Sequence, residues 1–309
     1  MNRRGAYVAI LFALGAAWGF TMPIAKIAVS TGHAALGLVV WELTFAILLL
    51  FAISALRRRR LRFQRGHLRL YLLIATLGNL IPTTMWFFNA RHLPAGILSI
   101  VISMVPMFAL PIALMMGLEK FRLTRMVGIL LGAMSIGLLI GPETSLPNPG
   151  KVPFVLLALI GPICYALEGN FVAKLGLGDQ DSIQVLLGAS LVALAVAAPI
   201  TLATGSWVDL FRPWGRAEYA LLLSSVLTTL AYAGYIWLVT RAGSVFSAQV
   251  SYLVTGFGVF WSIILLSESY SGWVWLSLGF MLAGLFLVRP LQSESLEPKA
   301  QAGNNAADS

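Results

Sequence analysis

Long, nearly uninterrupted apolar runs joined by short polar connections occupy most of this 309-residue chain. A bilayer's hydrocarbon core is about 30 Å thick and takes roughly 20 apolar residues of helix to cross, because lipid offers no partner for an unpaired backbone amide. Measured with that ruler, the runs predict helices near residues 6–29, 34–56, 69–90, 95–117, 124–140, 153–174, 182–204, 217–239, 245–267 and 272–288. Uninterrupted runs of this length indicate helices rather than barrel strands. The connections leave no room for a soluble domain.

The ten spans fall into two sets of five. The run from Pro94 to Glu119 shares its length and pattern with the run from Gly243 to Glu268, and the two glutamates stand 149 positions apart. This register pairs Trp86 with Tyr235 and Ser103 with Tyr252. A second echo, Ala13 to Lys26 against Ala158 to Lys174, sets the lysines 148 positions apart. An odd number of helices per half makes the second half enter the membrane from the opposite side, so the repeats are related by an axis in the membrane plane. The expected fold is therefore an all-α integral membrane protein of ten transmembrane helices, arranged as two five-helix inverted repeats at 6–140 and 153–288. The polar stretch at 289–309 is expected to be a disordered cytoplasmic tail. Inverted repeats have a physical use in alternating access: two similar halves exchange conformations and open a midplane site first to one side, then to the other.

Composition agrees with the bilayer as solvent, since 59% hydrophobic residues, 11% charged residues and a mean hydropathy of +0.86 would leave a soluble domain without a water-facing surface. The positive residues set the orientation, because cytoplasmic loops carry the excess of Lys and Arg. Arg3, Arg4, the cluster Arg57, Arg58, Arg59, Arg60, Arg62, Arg65 and Arg69, then Lys120, Arg122, Arg125, Lys174, Arg241, Arg289 and Lys299 share one face with the N-terminus. Arg91, Lys151, Arg212 and Arg216 fall on the other. Both termini are thus expected in the cytoplasm, with the chain a multi-pass protein of the cytoplasmic (inner) membrane. The net charge of +9 reads as a topology signal rather than a nucleic-acid one.

Residues distributed along both halves resemble the drug/metabolite transporter superfamily in its ten-helix branch of EamA-type permeases with two EamA domains. They are Ala17-Trp18-Gly19-Phe20 with Pro23 and Lys26, Pro106 and Gly117-Leu118-Glu119, Gly128, Gly132 and Gly137, and in the second half Lys174, Glu268, Gly279 and Gly284. The resemblance covers roughly residues 6–289. It implies a secondary carrier, often an exporter of amino acids or other small metabolites. Two features depart from the family pattern: Val40-Trp41-Glu42-Leu43 stands where the second helix often begins with an arginine, and Thr255 takes the place equivalent to Pro106.

An ionisable side chain at the centre of a membrane helix costs about 2.5–3.5 kcal/mol on insertion scales, so each needs a reason. Lys26, Glu42 and Glu168 lie clearly inside spans. Lys26 and Glu42 are expected to form a structural ion pair between neighbouring helices, the alternative being a lysine that snorkels to the interface. Glu168, past the middle of the sixth helix, is expected to carry a coupling proton or to bind a substrate amino group. Glu119 and Glu268 are each within a few residues of the next helix's start, where a carboxylate is favoured by the helix dipole, and read as structural. Aromatic and small polar residues outline the expected substrate cavity: Trp18, Asn79, Trp86, Ser103, Tyr165, Glu168, Tyr235, Gln249 and Tyr252, with Asn89, Asn170, Tyr232 and Trp261 as further candidates. Aromatic rings with a few amides suit a mostly apolar or amphipathic solute, with cation–π contact available to an amino group. Pro23, Pro82, Pro106, Pro111 and Pro162 are expected to kink their helices. Gly128, Gly132, Gly279, Ala283 and Gly284 are expected to mark close packing in the fifth and tenth.

Other chemistries find little support. There is no phosphate-binding loop of the GxxxxGK[ST] kind, the lone Cys164 has no internal disulfide partner, and His33, His67 and His92 lack metal-ligand spacing. Arg3 and Arg4 before an apolar run look like a signal peptide, but the echo of that run in the sixth helix argues that it is retained. No metal, cofactor or nucleic acid is expected; the partners are a small-molecule substrate and the lipid bilayer. Holding both halves, the chain is expected to act as a monomer or homodimer. The competing class is an integral-membrane enzyme or lipid-handling protein, which would call for acidic or His residues clustered at the interface.

Overall fold

A computed structural model describes residues 3–58, 65–142, 146, 148–211, 213–242 and 249–288. Ten helices, α1 to α10, account for almost all of them, and no strand occurs among the described residues. In the first half α1 spans Arg3–Ala28 and α2 spans Ala35–Leu56. Helix α3 runs through Arg65–Leu73, a π-helical Ile74–Leu80 and Ile81–Ala90. Helix α4 comprises Ala95–Ile102 and Val105–Met115, and α5 is Leu123–Ile140. In the second half α6 comprises a 3₁₀ turn Pro149–Lys151, then Val152–Ala158 and Ile160–Leu175. Helices α7 (Ser182–Ala203), α8 (Arg216–Ala242), α9 (Val250–Leu266) and α10 (Gly272–Val288) complete it. Seven of these helical stretches are 18 residues or longer and apolar enough to cross a membrane, and α9 and α10 are apolar helices of 17 residues. The chain is an all-α, multi-pass membrane protein. The expected tail at 289–309, together with Arg59, Arg60, Arg62 and Arg212, lies outside the described residues.

Helix packing repeats itself under the exchange of α1 with α6, α2 with α7, α3 with α8, α4 with α9 and α5 with α10. Helix α1 packs on α9 and α8, and its counterpart α6 packs on α4 and α3. Helix α2 packs on α8, and its counterpart α7 on α3; α2 also meets α7, α4 meets α9, and α5 meets α10. The last of these crossings is close because it is made of small residues. A Cβ on Gly128 would lie 2.7 Å from the Gly284 carbonyl oxygen, and one on Gly284 would lie 2.7 Å from that of Gly128. Ser277 donates to the Ser135 carbonyl at 2.8 Å in the same seam. Gly279, expected to belong to this contact, faces open space.

The interruptions in α3, α4 and α6 follow from proline, which offers no N–H to the carbonyl four residues back and crowds it. Pro82 leaves Gly78 inside the π-helical stretch, Pro106 leaves Ile102 at the end of the first part of α4, and Pro162 leaves Ala158 at the end of the second segment of α6. The π geometry shows in the Ile81 amide, which donates to Thr76, five residues earlier. Where Thr255 replaces the proline, α9 continues unbroken from Val250 to Leu266. Pro23 is accommodated inside an uninterrupted α1.

Candidate functional site

Helices α2, α3, α7 and α8 surround a narrow cavity with a water-accessible space of about 50 Å³. Polar side chains enter it as repeat-related pairs. Asn79 on α3 and Thr228 on α8 are 149 positions apart, Thr83 and Tyr232 likewise 149, and Glu42 on α2 and Ser190 on α7 are 148 apart. Those are the offsets of the glutamate and lysine echoes, so the cavity lies on the axis relating the two halves. Their chemistry is not symmetric, because the repeat pairs Glu42 with a serine and Tyr232 with a threonine.

Glu168 stands on α6 next to this cavity and is only 4% exposed. Tyr232 donates to its Oε1 at 2.9 Å, and the carboxylate lies against Gly78 of the π-helical segment, where a Cβ would sit 2.5 Å from Oε1. Proline-induced unwinding and the missing side chain at Gly78 thus make the space in which an acid sits inside the bundle. Trp18 of α1 contacts Tyr232 (ring centroids 6.1 Å apart) and Tyr235 (6.0 Å), forming an aromatic wall beside the carboxylate. Tyr165, one turn before Glu168, is within electrostatic reach of both Glu168 and Glu42.

Glu42 differs from Glu168 in having no partner. It lines the cavity half-buried, and no described residue hydrogen-bonds its carboxylate. The Nδ2 of Asn79 in the same wall is buried and unpartnered too. The expected ion pair between Lys26 and Glu42 does not form. Lys26 near the end of α1 reaches away from the cavity, its Nζ donating to the Ala90 carbonyl at 3.0 Å and to that of Leu93. These carbonyls are free because they sit at the junction of α3 and α4, and a lysine near a helix end finds such acceptors without entering the core.

Glu268 shares that end of the bundle, opposite the N-terminus. It was expected to benefit from the start of the following helix; instead it reaches across the repeats to α4. Its Oε1 accepts the Ala95 amide at 2.9 Å and its Oε2 the Gly96 amide at 3.3 Å, while the Tyr270 hydroxyl donates to Oε2 at 2.5 Å. A carboxylate here satisfies two of the orphan amides of a helix N-terminus. Lys26, Ser30, Arg91, Arg216 and Glu268 line an open vestibule of about 700 Å³ on this face. At the other end Glu119 pairs with Arg125 near the start of α5 at 2.8 Å, and that arginine is 4% exposed.

The remaining expected residues are placed elsewhere. Ser103 is buried where α4 meets α9, bonding the Ser99 carbonyl and the Thr255 hydroxyl. Trp86 and Tyr252 pack half-buried against the apolar core. Gln249 occupies the N-terminal boundary of α9, away from the cavity walls. Asn89 donates to the Met85 carbonyl, Asn170 to those of Ala109 and Ala166, and the Trp261 indole to that of Ala16. Of the expected residues, Asn79 and Tyr232 line the cavity itself, and Glu168, Tyr165, Trp18 and Tyr235 gather beside Tyr232. Thr83, Ser190, Thr228 and Thr229 were not foreseen as cavity residues. The Thr229 hydroxyl donates to the Ser225 carbonyl of its own helix, an ordinary arrangement among apolar residues, and the repeat register that pairs Thr228 with Asn79, Thr83 with Tyr232 and Ser190 with Glu42 is the one signal that could have found the other three.

Two relatives, each named "Uncharacterized inner membrane transporter YedA", from Escherichia coli strain K12 and from E. coli O157:H7, are 27% identical to this chain over 283 residues, 90% of it and 89% of their own length. A crystal structure at 15% identity superposes with a TM-score of 0.64, covering 92% of this chain and 96% of its own, and so shares the fold. The family model of EamA-like transporters matches twice, at residues 5–141 and 152–289. With both halves matched, this chain belongs to the EamA-like transporter family.

Proposed function

We propose that this protein is a secondary carrier that moves small metabolites bearing an amino group, amino acids among them, outward by alternating access, and that Glu168 carries the coupling proton. The observation that carries the reading is Glu168 itself: a carboxylate buried inside the bundle, held by Tyr232 against an unwound segment of α3, beside a cavity on the repeat axis. Ionisable groups at such depth are costly and mark proton or substrate paths in transporters. A space of about 50 Å³ holds a few waters at most, since each needs roughly 10–15 Å³ by the same measure. The helices around it therefore part to admit a solute, which is the motion inverted repeats supply.

The carrier reading is tested in proteoliposomes with an imposed pH gradient and a panel of radiolabelled amino acids and amines. Glu168→Gln should abolish gradient-driven uptake while the variant stays monodisperse and solute exchange continues. Gradient-driven uptake equal to wild type in that variant removes Glu168 from coupling.

The membrane is the cytoplasmic one, as for the relatives in E. coli, and both termini are on its cytoplasmic side. The support is the crowding of Lys and Arg on the face of the N-terminus. Ser30, exposed on the opposite face, provides the check. In a Cys164→Ser background, Ser30→Cys should react with a membrane-impermeant maleimide in intact cells. Reaction only after the membrane is permeabilised would reverse the orientation.

A further inference from the structure

We infer that Glu42 is the substrate-anchoring carboxylate of the axial cavity and that it favours an organic cation with N–H donors, an amine or diamine, over a zwitterion or an anion. The inference rests on the carrier reading above and narrows its substrate class.

Three observations converge. Glu42 lines the cavity on the repeat axis, and no described residue hydrogen-bonds its carboxylate. An acid among apolar helices without a partner is tolerated where a ligand supplies one, since the cost of a buried charge falls when it is paired. Beside it Thr83, Ser190 and Thr228 add hydroxyls, whose oxygens accept around the charge, while the buried Asn79 amide nitrogen in the same wall is a donor without a partner. Third, no Lys, Arg or His lines this cavity among the described residues. Lys26, the cation inside a neighbouring span, directs two of its three donors to the carbonyls of Ala90 and Leu93, away from the cavity. A solute carboxylate would meet Glu42 with no cationic side chain in the cavity wall to neutralise it. An ammonium group meets a carboxylate, hydroxyl oxygens and the ring of Tyr232, which also offers cation–π contact. Glu168 is engaged by Tyr232, so the two acids are not equivalent: one is held by the protein and the other is left for the solute.

The test uses the full-length protein in liposomes with four radiolabelled probes: putrescine, a monoamine (phenethylamine), leucine and succinate. Wild type should carry putrescine or phenethylamine, and Glu42→Gln should reduce that flux about tenfold or more, as removal of a charge-assisted partner does. Glu42→Asp should retain part of it. Amine flux that persists in Glu42→Gln overturns the role of Glu42. If wild type carries leucine and neither amine, the inference falls and the carrier reading stands; if it carries succinate alone, or none of the four, both are overturned. Should Glu42→Gln fail to fold, carbodiimide labelling of the wild-type protein decides. Putrescine should protect Glu42 from modification, read by mass spectrometry, and labelling unaffected by either amine overturns the proposal.

Discussion

At the scale of single residues, the site depends on a missing side chain as much as on those present. Gly78 faces the Glu168 carboxylate so closely that a methyl group there would come within 2.5 Å of Oε1. Gly78→Ala should therefore displace Glu168 from Tyr232 or push α3 from α6, lowering stability by about 1–3 kcal/mol, the usual cost of overpacking. A thermal melt of the detergent-solubilised variant measures this, and a melting temperature equal to wild type would show that the carboxylate has room to move. The glutamate was legible from the sequence because charge stands out among apolar residues. Its glycine partner was not, since 29 glycines occur in the chain and only contact across helices distinguishes this one. The same limit explains Lys26. Its charge was visible, but its actual acceptors are backbone carbonyls of Ala90 and Leu93, and every residue has such a carbonyl.

At the scale of elements, the prolines were good guides to where helices break. Pro82, Pro106 and Pro162 each stand four residues after an irregular point, as the lost hydrogen bond requires. Pro23 in unbroken α1 shows that the residue alone does not compel a break. Capping was harder to read, because a cap joins groups remote in sequence. Glu268 and the start of α4 are separated by more than half the chain, yet the carboxylate accepts the amides of Ala95 and Gly96. Glu268→Ala should release that helix end and cost about 1 kcal/mol, as loss of an N-terminal acceptor does. Hydrogen exchange at the first turn of α4 gives the direct measurement: faster exchange there than in the rest of α4 is the expected outcome, and unchanged protection would argue that water replaces the cap at no cost.

At the scale of the whole molecule, the two halves meet along seams that repeat under one exchange of helices, and at the α5–α10 crossing Gly128 and Gly284 bring the two backbones together. Gly284→Leu should force these helices apart, because its Cβ would already lie 2.7 Å from the Gly128 carbonyl. The expected loss is about 1–3 kcal/mol or more, seen as an earlier melt. A variant as stable as wild type would mean that α10 slides without cost. The helix count, the inverted arrangement and the repeat register all followed from the sequence, because apolar length and duplication are written along the chain and the bilayer reads them directly. Which polar residues share a cavity was decided by tertiary structure alone. In lipid, helix faces are chosen by packing and hydrogen bonding between helices rather than by exclusion from water, so sequence position does not say whether Glu42 meets Lys26 or an empty space beside Asn79.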